Sequence, residues 1–173
     1  MPYDPNVHHR RSIRLPYYDY SQSGAYFITI CVQNHTCLFG KIITTTNSAE
    51  LELNEQGKMV QNIWHEMPLY NPGIVLDQCI LMPNHLHGII IIDASSQNSD
   101  LSLSGIVRTF KAISTKRYAE GVTKYAWPRF PGRLWQRNYW ERVIRNEKEL
   151  HAVREYIHYN PAKWEDDALF IGP

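Results

Sequence analysis

An aliphatic hairpin occupies the middle of the sequence. Residues 73–82, GIVLDQCILM, and residues 85–92, HLHGIIII, are both rich in side chains that favour strands. The Pro83-Asn84 pair between them is typical of a tight turn. The sequence therefore predicts two antiparallel strands joined by this turn, the second of them anchored by the isoleucines after Gly88.

Shorter patterns predict further elements on either side of the hairpin. Strands are expected at residues 26–32 and 40–46, and helices at residues 54–67, 102–119 and 147–159. Pro68 and Pro161 are expected to end the first and the last helix, and residues 121–136 are expected to form mostly loop. Strands joined by a hairpin, with helices between them, indicate an α+β sandwich in which helices pack on an antiparallel sheet.

The length of 173 residues suits one domain. Residues 1–23 are polar, basic and rich in tyrosine, so we interpret them as an N-terminal arm and residues 24–173 as a single domain. No apolar run reaches about eighteen residues, and the first residues lack the apolar core of a secretory signal, so neither a membrane span nor secretion is expected. Three cysteines without a CxxC pair suit a reducing cytoplasm better than a disulfide framework or a structural zinc site.

Positive charge is concentrated in one part of a nearly neutral chain. The net charge is +1, yet between Arg108 and Arg145 ten lysines and arginines face only two acidic residues. Aromatic residues alternate with these cations, which suits single-stranded nucleic acid, because bases stack on rings while cations follow phosphates. The alternative is a solvated charged face, with Phe110, Trp135 and Trp140 in the core. The candidate phosphate contacts are Lys111, Arg117, Arg133 and Arg137. A second set of candidate contacts, to flanking DNA, lies in the arm and comprises Arg10, Arg11 and Arg14.

Two histidines begin the second strand of the hairpin. On a strand, His85 and His87 project to one face while Leu86 points to the other. Imidazoles spaced in this way can present nitrogen atoms to one cation, and histidine is a common metal ligand. The alternative is a pair of hydrogen-bonded histidines on a half-exposed strand. A histidine-triad nucleotide hydrolase would need a third histidine two residues on, where the chain has Ile89.

The last predicted helix contains two tyrosines in the segment EYIHYNP. At about 100° per residue, Tyr156 and Asn160 lie one turn apart on the same flank of the apolar face, whereas Tyr159 lies near the solvent side. A phenol and an amide oxygen can therefore reach the same point on the sheet, which favours Tyr156 over Tyr159 as the tyrosine with a functional role. The alternative is an amphipathic tyrosine at the edge of the core, with Asn160 as a helix terminator.

Together these segments resemble a known family. MPNHLHG is similar to the histidine–hydrophobe–histidine motif of single-tyrosine transposases of the insertion-sequence type, and EYIHYNP to the tyrosine helix of their REP-associated branch. The segments RRSIRLPYYDYSQSGAYFITICVQNHTCLFG and LWQRNYWERVIRNEKEL extend the resemblance over nearly the whole chain. The resemblance implies a ferredoxin-like fold, with the histidine pair on a central antiparallel strand.

The resemblance also implies a metal and a nucleophile. It implies a divalent cation, Mg²⁺ or Mn²⁺, bound by His85, His87 and Asn160. Many relatives have a glutamine where Asn160 stands, so the shorter asparagine requires a closer helix or an intervening water. Tyr156 would attack the phosphorus and form a 5′-phosphotyrosine bond, which retains the bond energy, so that a strand can be rejoined without ATP.

The sequence thus predicts a metal-dependent enzyme that nicks and rejoins single-stranded or hairpin DNA at palindromic elements, as a monomer or a homodimer. The alternative is a catalytically silent regulator that binds hairpin DNA with the same fold. An unrelated metallophosphoesterase would require more acidic ligands than Asp77 and Asp93, the acidic residues in the neighbouring strands.

Overall fold

A computed structural model describes residues 19–44, 49–93 and 101–170. Its strands are β1 (Gly24–Cys31), β2 (Gly40–Thr44), β3 (Ala49–Leu53), β4 (Ile74–Leu81), β5 (His85–Ile92) and β6 (Trp140–Ile144). Its α-helices are α1 (Glu55–Tyr70), α2 (Leu103–Tyr125) and α3 (Glu147–Tyr159), and short 3-10 helices lie at Gln33–His35 and Pro161–Asp166. Within these described ranges, no helix is both long and apolar enough to cross a membrane.

Most of the predicted arm, with its Arg10, Arg11 and Arg14, lies outside the described residues.

Four strands form the central sheet in the order β4-β5-β1-β6, and each neighbouring pair is antiparallel. Strands β2 and β3 form a separate antiparallel hairpin. Helix α1 lies between β1 and β4 in the chain, and helix α2 lies between β5 and β6. This succession of strands and helices is the ferredoxin-like arrangement, so the predicted fold class is confirmed.

Both faces of the sheet are covered by helices. On one face, Ile28 and Leu86 belong to the main core, together with Trp64 from α1 and Phe110 from α2. On the other face, a second apolar cluster joins Ile89 of β5 to buried side chains of α3. A strand buried on both faces is apolar at nearly every position, which explains the unbroken isoleucines of β5.

Gly88 allows α1 to approach β5 closely. A Cβ atom at this position would lie 2.5 Å from Cζ2 of Trp64. The Trp64 ring is buried and packs edge-on against Phe110, with 5.5 Å between the ring centroids. The glycine therefore leaves the space that the largest side chain in this core requires.

The boundaries of α3 agree with the prediction, but two helices are longer than predicted. Helix α1 continues to Tyr70 with Pro68 in its last turn. The main-chain N–H and the side-chain amide of Asn71 both donate to the Met67 carbonyl, at 3.0 and 3.1 Å, and so complete the turn beyond the proline.

Helix α2 continues to Tyr125, through residues predicted to be loop. Gly121 lies inside it, against the Trp127 ring, so this glycine permits a close contact and does not end the helix. Strands β3 and β6 were not predicted at all. Each has only five residues, and its pairing partner, β2 or β1, defines it.

We expect Gly88→Ala to destabilise the protein by about 1–3 kcal/mol, because the added methyl group would overlap the buried Trp64 ring. Chemical denaturation monitored by circular dichroism measures this difference. Gly105→Ala is the matched control, since its Cβ would meet only the Ser102 hydroxyl at 3.3 Å, and it should change the stability by less than about 1 kcal/mol. Equal effects of the two substitutions would contradict the proposed close contact.

Candidate active site between β5 and α3

The two histidines lie at the start of β5, on the sheet face that α3 covers. His85 pairs with Cys31 of β1, and His87 pairs with Thr29. On the other side of β5, His87 pairs with Ile80 of β4. Both histidines are buried, with exposed fractions of 0% and 2%. Their backbone is therefore fixed from both sides by strand pairing.

Hydrogen bonds orient both imidazole rings. Asn84 donates its amide group to the carbonyls of His35 and Leu169, at 3.1 and 2.8 Å. Its Oδ1 therefore faces Nδ1 of His85 at 2.8 Å and accepts a hydrogen bond from the N–H there. His87 Nδ1 lies 2.8 Å from the Thr29 hydroxyl. With both Nδ1 atoms engaged, Nε2 of His87 faces Tyr156 of α3 at 3.3 Å, and Nε2 of His85 faces Asp167, beyond the end of α3, at 3.9 Å.

The Nε2 atoms converge on one point. Nε2 of His85 lies 3.0 Å from Nε2 of His87. Two nitrogen atoms bound to one ion at about 2.1 Å and at right angles would also be about 3.0 Å apart. Burial lowers the pKa of His85 to about 4 and that of His87 well below its usual value. Both rings are therefore neutral at pH 7, as metal ligands must be.

Asp167, which the sequence analysis missed, adds a carboxylate to this cluster. Its Oδ2 lies 3.9 Å from Nε2 of His85, and the potential ligand atoms of His85, His87 and Asp167 all lie within 4.8 Å of one another. Its side chain is only 8% exposed. It accepts hydrogen bonds from the Leu169 N–H at 2.7 Å and from the Asn160 amide at 3.4 Å. Both donors are neutral, so neither balances the charge of the carboxylate.

Asn160 reaches the same cluster from the end of α3. It is 3% exposed, and its Oδ1 is buried and accepts no hydrogen bond from the described residues. A buried oxygen without a partner costs free energy unless a cation or a water meets it. Two imidazole nitrogens, a carboxylate and an amide oxygen form a donor set that could hold a divalent cation.

Tyr156 lies one turn before Asn160, beside the histidines. Its hydroxyl is 3.3 Å from Nε2 of His87, and its ring packs edge-on against Phe27, with 5.9 Å between centroids. Burial and the charge of Asp167 raise the pKa of Tyr156, and the neighbouring Asn160 amide group opposes this rise. The phenol is therefore protonated at neutral pH, and it lies where a buried site meets solvent, since Tyr156 is 45% exposed.

Tyr159 lies away from the cluster. It is 54% exposed, and the ring it contacts is that of its neighbour His158. The helix geometry inferred from the sequence thus separates the two tyrosines as the structure does.

An ion pair fixes α3 against the sheet. The Asp77 carboxylate accepts two hydrogen bonds from the Arg154 guanidinium, at 2.9 and 2.6 Å, and this interaction lowers the pKa of Asp77. Asp77 lies at an irregularity in the pairing of β4 with β5, between Leu76 and Cys79. The carboxylate considered as a phosphoesterase ligand therefore supports α3 instead.

Two of the predicted phosphate contacts are already engaged by protein groups. Lys111 donates to three carbonyls of the loop after Trp135, at 2.8, 3.3 and 3.0 Å. Arg117 donates to both carboxylate oxygens of Glu66, at 3.2 and 2.8 Å, and so links α2 to α1. These contacts give both side chains structural roles that their positions in the sequence did not indicate.

Arg133 and Arg137 are exposed and stay predictions as phosphate contacts. Together with Lys116 they line an open cleft of about 470 Å³ beside α2. No contact with nucleic acid is established for Arg10, Arg11 or Arg14, which lie outside the described residues.

The residues that the sequence analysis missed had weak signals. Asn84 was interpreted only as a turn residue, although it directly precedes His85. Thr29 is a β-branched residue in a strand and looks ordinary in isolation. Asp167 ends an acidic run, EDD, near the C-terminus, and only the path of the chain after α3 brings it to the histidines.

Comparison with known proteins finds relatives that are similar to this chain in sequence. The family described as IS200-like transposases matches residues 34–160. An uncharacterised protein from Haemophilus influenzae is 41% identical over 182 residues, covering 98% of this chain and 97% of that protein. A second protein from this organism, provisionally named a REP-associated tyrosine transposase, is 28% identical over 148 residues, covering 84% of this chain and 74% of its own length.

Two solved structures have a similar fold. A REP-associated tyrosine transposase bound to a REP hairpin matches with a TM-score of 0.59 and 21% identity, over 87% of this chain and 74% of its own. A Deinococcus radiodurans protein, provisionally described as a transposase, matches with a TM-score of 0.51 and 16% identity, over 80% of this chain and 92% of its own. The chain belongs to the IS200-like transposase family, and the resemblance inferred from its motifs is confirmed.

We expect the protein, freed of divalent cations by a chelator, to lose stability as the pH falls from 6.5 towards 4. The unfolded chain takes up a proton at His85 near its ordinary pKa of 6.5, whereas burial delays uptake in the folded state to about 4. His85 alone should lower the free energy of unfolding by on the order of 2 kcal/mol between pH 7 and pH 5. Urea titrations at several pH values measure this change in the free energy of unfolding.

His85→Gln should make this pH dependence shallower, since the variant has one buried imidazole fewer to protonate. His151→Ala is the control, because its side chain is 75% exposed, and its pH profile should match that of the parent protein. A free energy of unfolding that does not change between pH 7 and pH 5 would contradict the burial of neutral histidines.

Proposed function

We propose that this protein is a metal-dependent DNA strand transferase that cuts and rejoins single-stranded DNA at palindromic or hairpin elements. The observation that carries the proposal is the position of the Tyr156 hydroxyl, 3.3 Å from Nε2 of His87, which itself lies 3.0 Å from Nε2 of His85. A potential nucleophile thus adjoins a group of potential cation ligands. Membership of a transposase family supports the same conclusion.

Hairpin DNA is the proposed substrate for two reasons. One solved structure with this fold is of a REP-associated tyrosine transposase bound to a REP hairpin, which is a property of that protein. In this chain, the exposed Arg133 and Arg137 beside α2 offer positive charge for phosphates. A hairpin with single-stranded flanks combines a duplex for such contacts with unpaired nucleotides for the site.

The proposed chemistry assigns a task to each residue. His85, His87, Asn160 and Asp167 would hold a divalent cation, Mg²⁺ or Mn²⁺. Such a cation, when bound, offsets the negative charge that develops on the scissile phosphate. The Tyr156 oxygen attacks the phosphorus and loses its proton, and the 3′-oxygen leaves and gains one.

A 5′-phosphotyrosine bond remains after this step, and a later 3′-hydroxyl can displace the tyrosine. The Asn160 amide group, which opposes the rise in the Tyr156 pKa, would favour the phenolate form.

A single chain contains all the groups of the proposed site. Tyr156 approaches the histidines of its own chain, through the helix that follows β6. We therefore propose that one monomer can carry out the first cleavage. A homodimer would be required only if rejoining two strands needs two tyrosines.

We expect the protein, with Mn²⁺ or Mg²⁺ and a hairpin oligonucleotide that has single-stranded flanks, to form a covalent protein–DNA adduct. Tyr156→Phe should reduce the adduct below detection, because the nucleophilic oxygen is removed. Denaturing gel electrophoresis of labelled DNA measures the adduct. Tyr159→Phe, the matched control on the same helix, should retain most of it.

An adduct in Tyr156→Phe would refute the role of Tyr156. If the wild-type protein bound the hairpin equally well with and without cation and cut nothing over hours, the catalytically silent regulator would be the better interpretation.

We expect Mn²⁺ to bind at the histidine cluster. His85→Ala should weaken the affinity by more than about 100-fold, and Asp167→Asn by roughly 10- to 100-fold, because a ligand is lost or loses its charge. Isothermal titration measures both, and the exposed His151→Ala should bind as the parent does. An unchanged affinity in Asp167→Asn would remove Asp167 from the ligand set, and an unchanged affinity in His85→Ala would remove the proposed site.

A further inference from the structure

A cleft of about 420 Å³ opens beside the candidate nucleophile. One side is formed by α3, with Ala152, Val153 and Tyr156, and the other by the edge strand β6, with Trp140, Glu141 and Arg142. Its volume falls in the range of sites that bind small molecules or single groups of a larger ligand. Because Tyr156 lines the cleft and its hydroxyl also contacts His87, the cleft and the candidate active site are continuous.

Trp140 lies in the same cross-strand row as the histidine site. His87 of β5 pairs with Thr29 of β1, and Thr29 pairs in turn with Trp140 of β6. Residues paired across antiparallel strands project to the same face, and adjacent strands lie about 4.8 Å apart. The Trp140 side chain therefore lies on the histidine face, two strands away from His87.

Packing does not explain the position of Trp140. The alternative interpretation of the sequence assigned it to the core with Phe110 and Trp135, and these two residues are indeed buried, with exposed fractions of 1% and 4%. Trp140, in contrast, is 57% exposed. Because this exposed indole ring lines a cleft that reaches the candidate nucleophile, its face is available to stack on a ligand.

Arg142 supplies positive charge on the same face. It pairs with Phe27, one row along from Trp140, and its side chain is 61% exposed. Its guanidinium is 3.8 Å from the Glu149 carboxylate, a contact between partly exposed groups that contributes little free energy. The edge of the cleft thus combines an aromatic surface with an available cation, the pair of features that binds an unpaired base and its phosphate.

We propose that this cleft binds one unpaired nucleobase adjacent to the phosphate that Tyr156 attacks, with Trp140 stacking on the base and Arg142 contacting the neighbouring phosphate. The inference rests on the proposed function, because it assumes that single-stranded DNA reaches Tyr156. The scissile phosphate has a nucleotide on each side, so a base must lie close to the Tyr156 ring. The apolar floor at Phe27 and Val153 suits the flat, weakly polar surface of that base.

The test measures binding without cleavage. Protein carrying Tyr156→Phe, in the presence of a chelator, is titrated with a fluorescent oligothymidylate of about twenty nucleotides and with an abasic strand of equal length and charge. Adding Trp140→Ala should weaken oligothymidylate binding by roughly 5- to 100-fold and leave abasic binding nearly unchanged. Trp140→Phe should retain most of the affinity, because phenylalanine still presents a ring.

A control and a second variant separate stacking from other effects. Tyr125→Ala removes another exposed aromatic residue, 69% exposed at the end of α2, and should not change the affinity. Arg142→Gln should weaken the binding of both oligonucleotides. It should also reduce the slope of the logarithm of the affinity against that of the salt concentration by the amount expected for about one phosphate contact. Thermal unfolding of each variant verifies that the fold is retained.

The outcomes distinguish this inference from the proposed function. Equal oligothymidylate affinity in the parent and Trp140→Ala, or an equal loss for the abasic strand, would overturn the base site even if the wild-type protein forms a covalent adduct. If Trp140→Ala lowered the affinity for oligothymidylate but not for the abasic strand, the base site would be supported even without an adduct. In that case only the proposed strand transfer would be refuted.

Discussion

The candidate site depends on β5 being held between β4 and β1 with both of its faces covered. Strand pairing fixes the backbone of His85 and His87, and Asn84 and Thr29 then fix their rings. On the opposite face, Gly88 lets Trp64 pack directly on the strand. Because each of these contacts constrains the next, the two Nε2 atoms can converge without support from a flexible loop.

The same burial determines the electrostatics of the site. It keeps the histidines neutral and raises the pKa of the Tyr156 phenol, while Asp167 remains close to both. The cluster also contains the buried Oδ1 of Asn160, which accepts no hydrogen bond from the part of the chain that the structure describes. Buried acceptors are costly unless a donor or a cation meets them, which gives the cation proposal its physical basis. The proposed cation site and Tyr156 would contact only the phosphate of the substrate, and the proposed base site beside them would contact a nucleobase.

Local patterns in the chain predicted some elements well and others poorly. The hairpin and α3 have strong periodicity and clear capping or turn residues, and their positions agree with the structure. The short strands β3 and β6 lack such signals, because pairing with another strand defines them. The extensions of α1 and α2 depend on contacts made by Asn71 and Trp127, which the helix patterns did not indicate.

By itself, the sequence determined the residue types of the site and their local geometry: two histidines on one face of a strand, and a tyrosine and an amide one turn apart on a helix. These relations follow from the periodicity with which side chains project from a strand or a helix, which is a property of the backbone. Only the tertiary structure decided that Asp167 joins the histidines, that Lys111 and Arg117 have structural partners, and that Trp140 is exposed beside Tyr156. Such relations depend on how distant segments pack, and no local pattern contains that information.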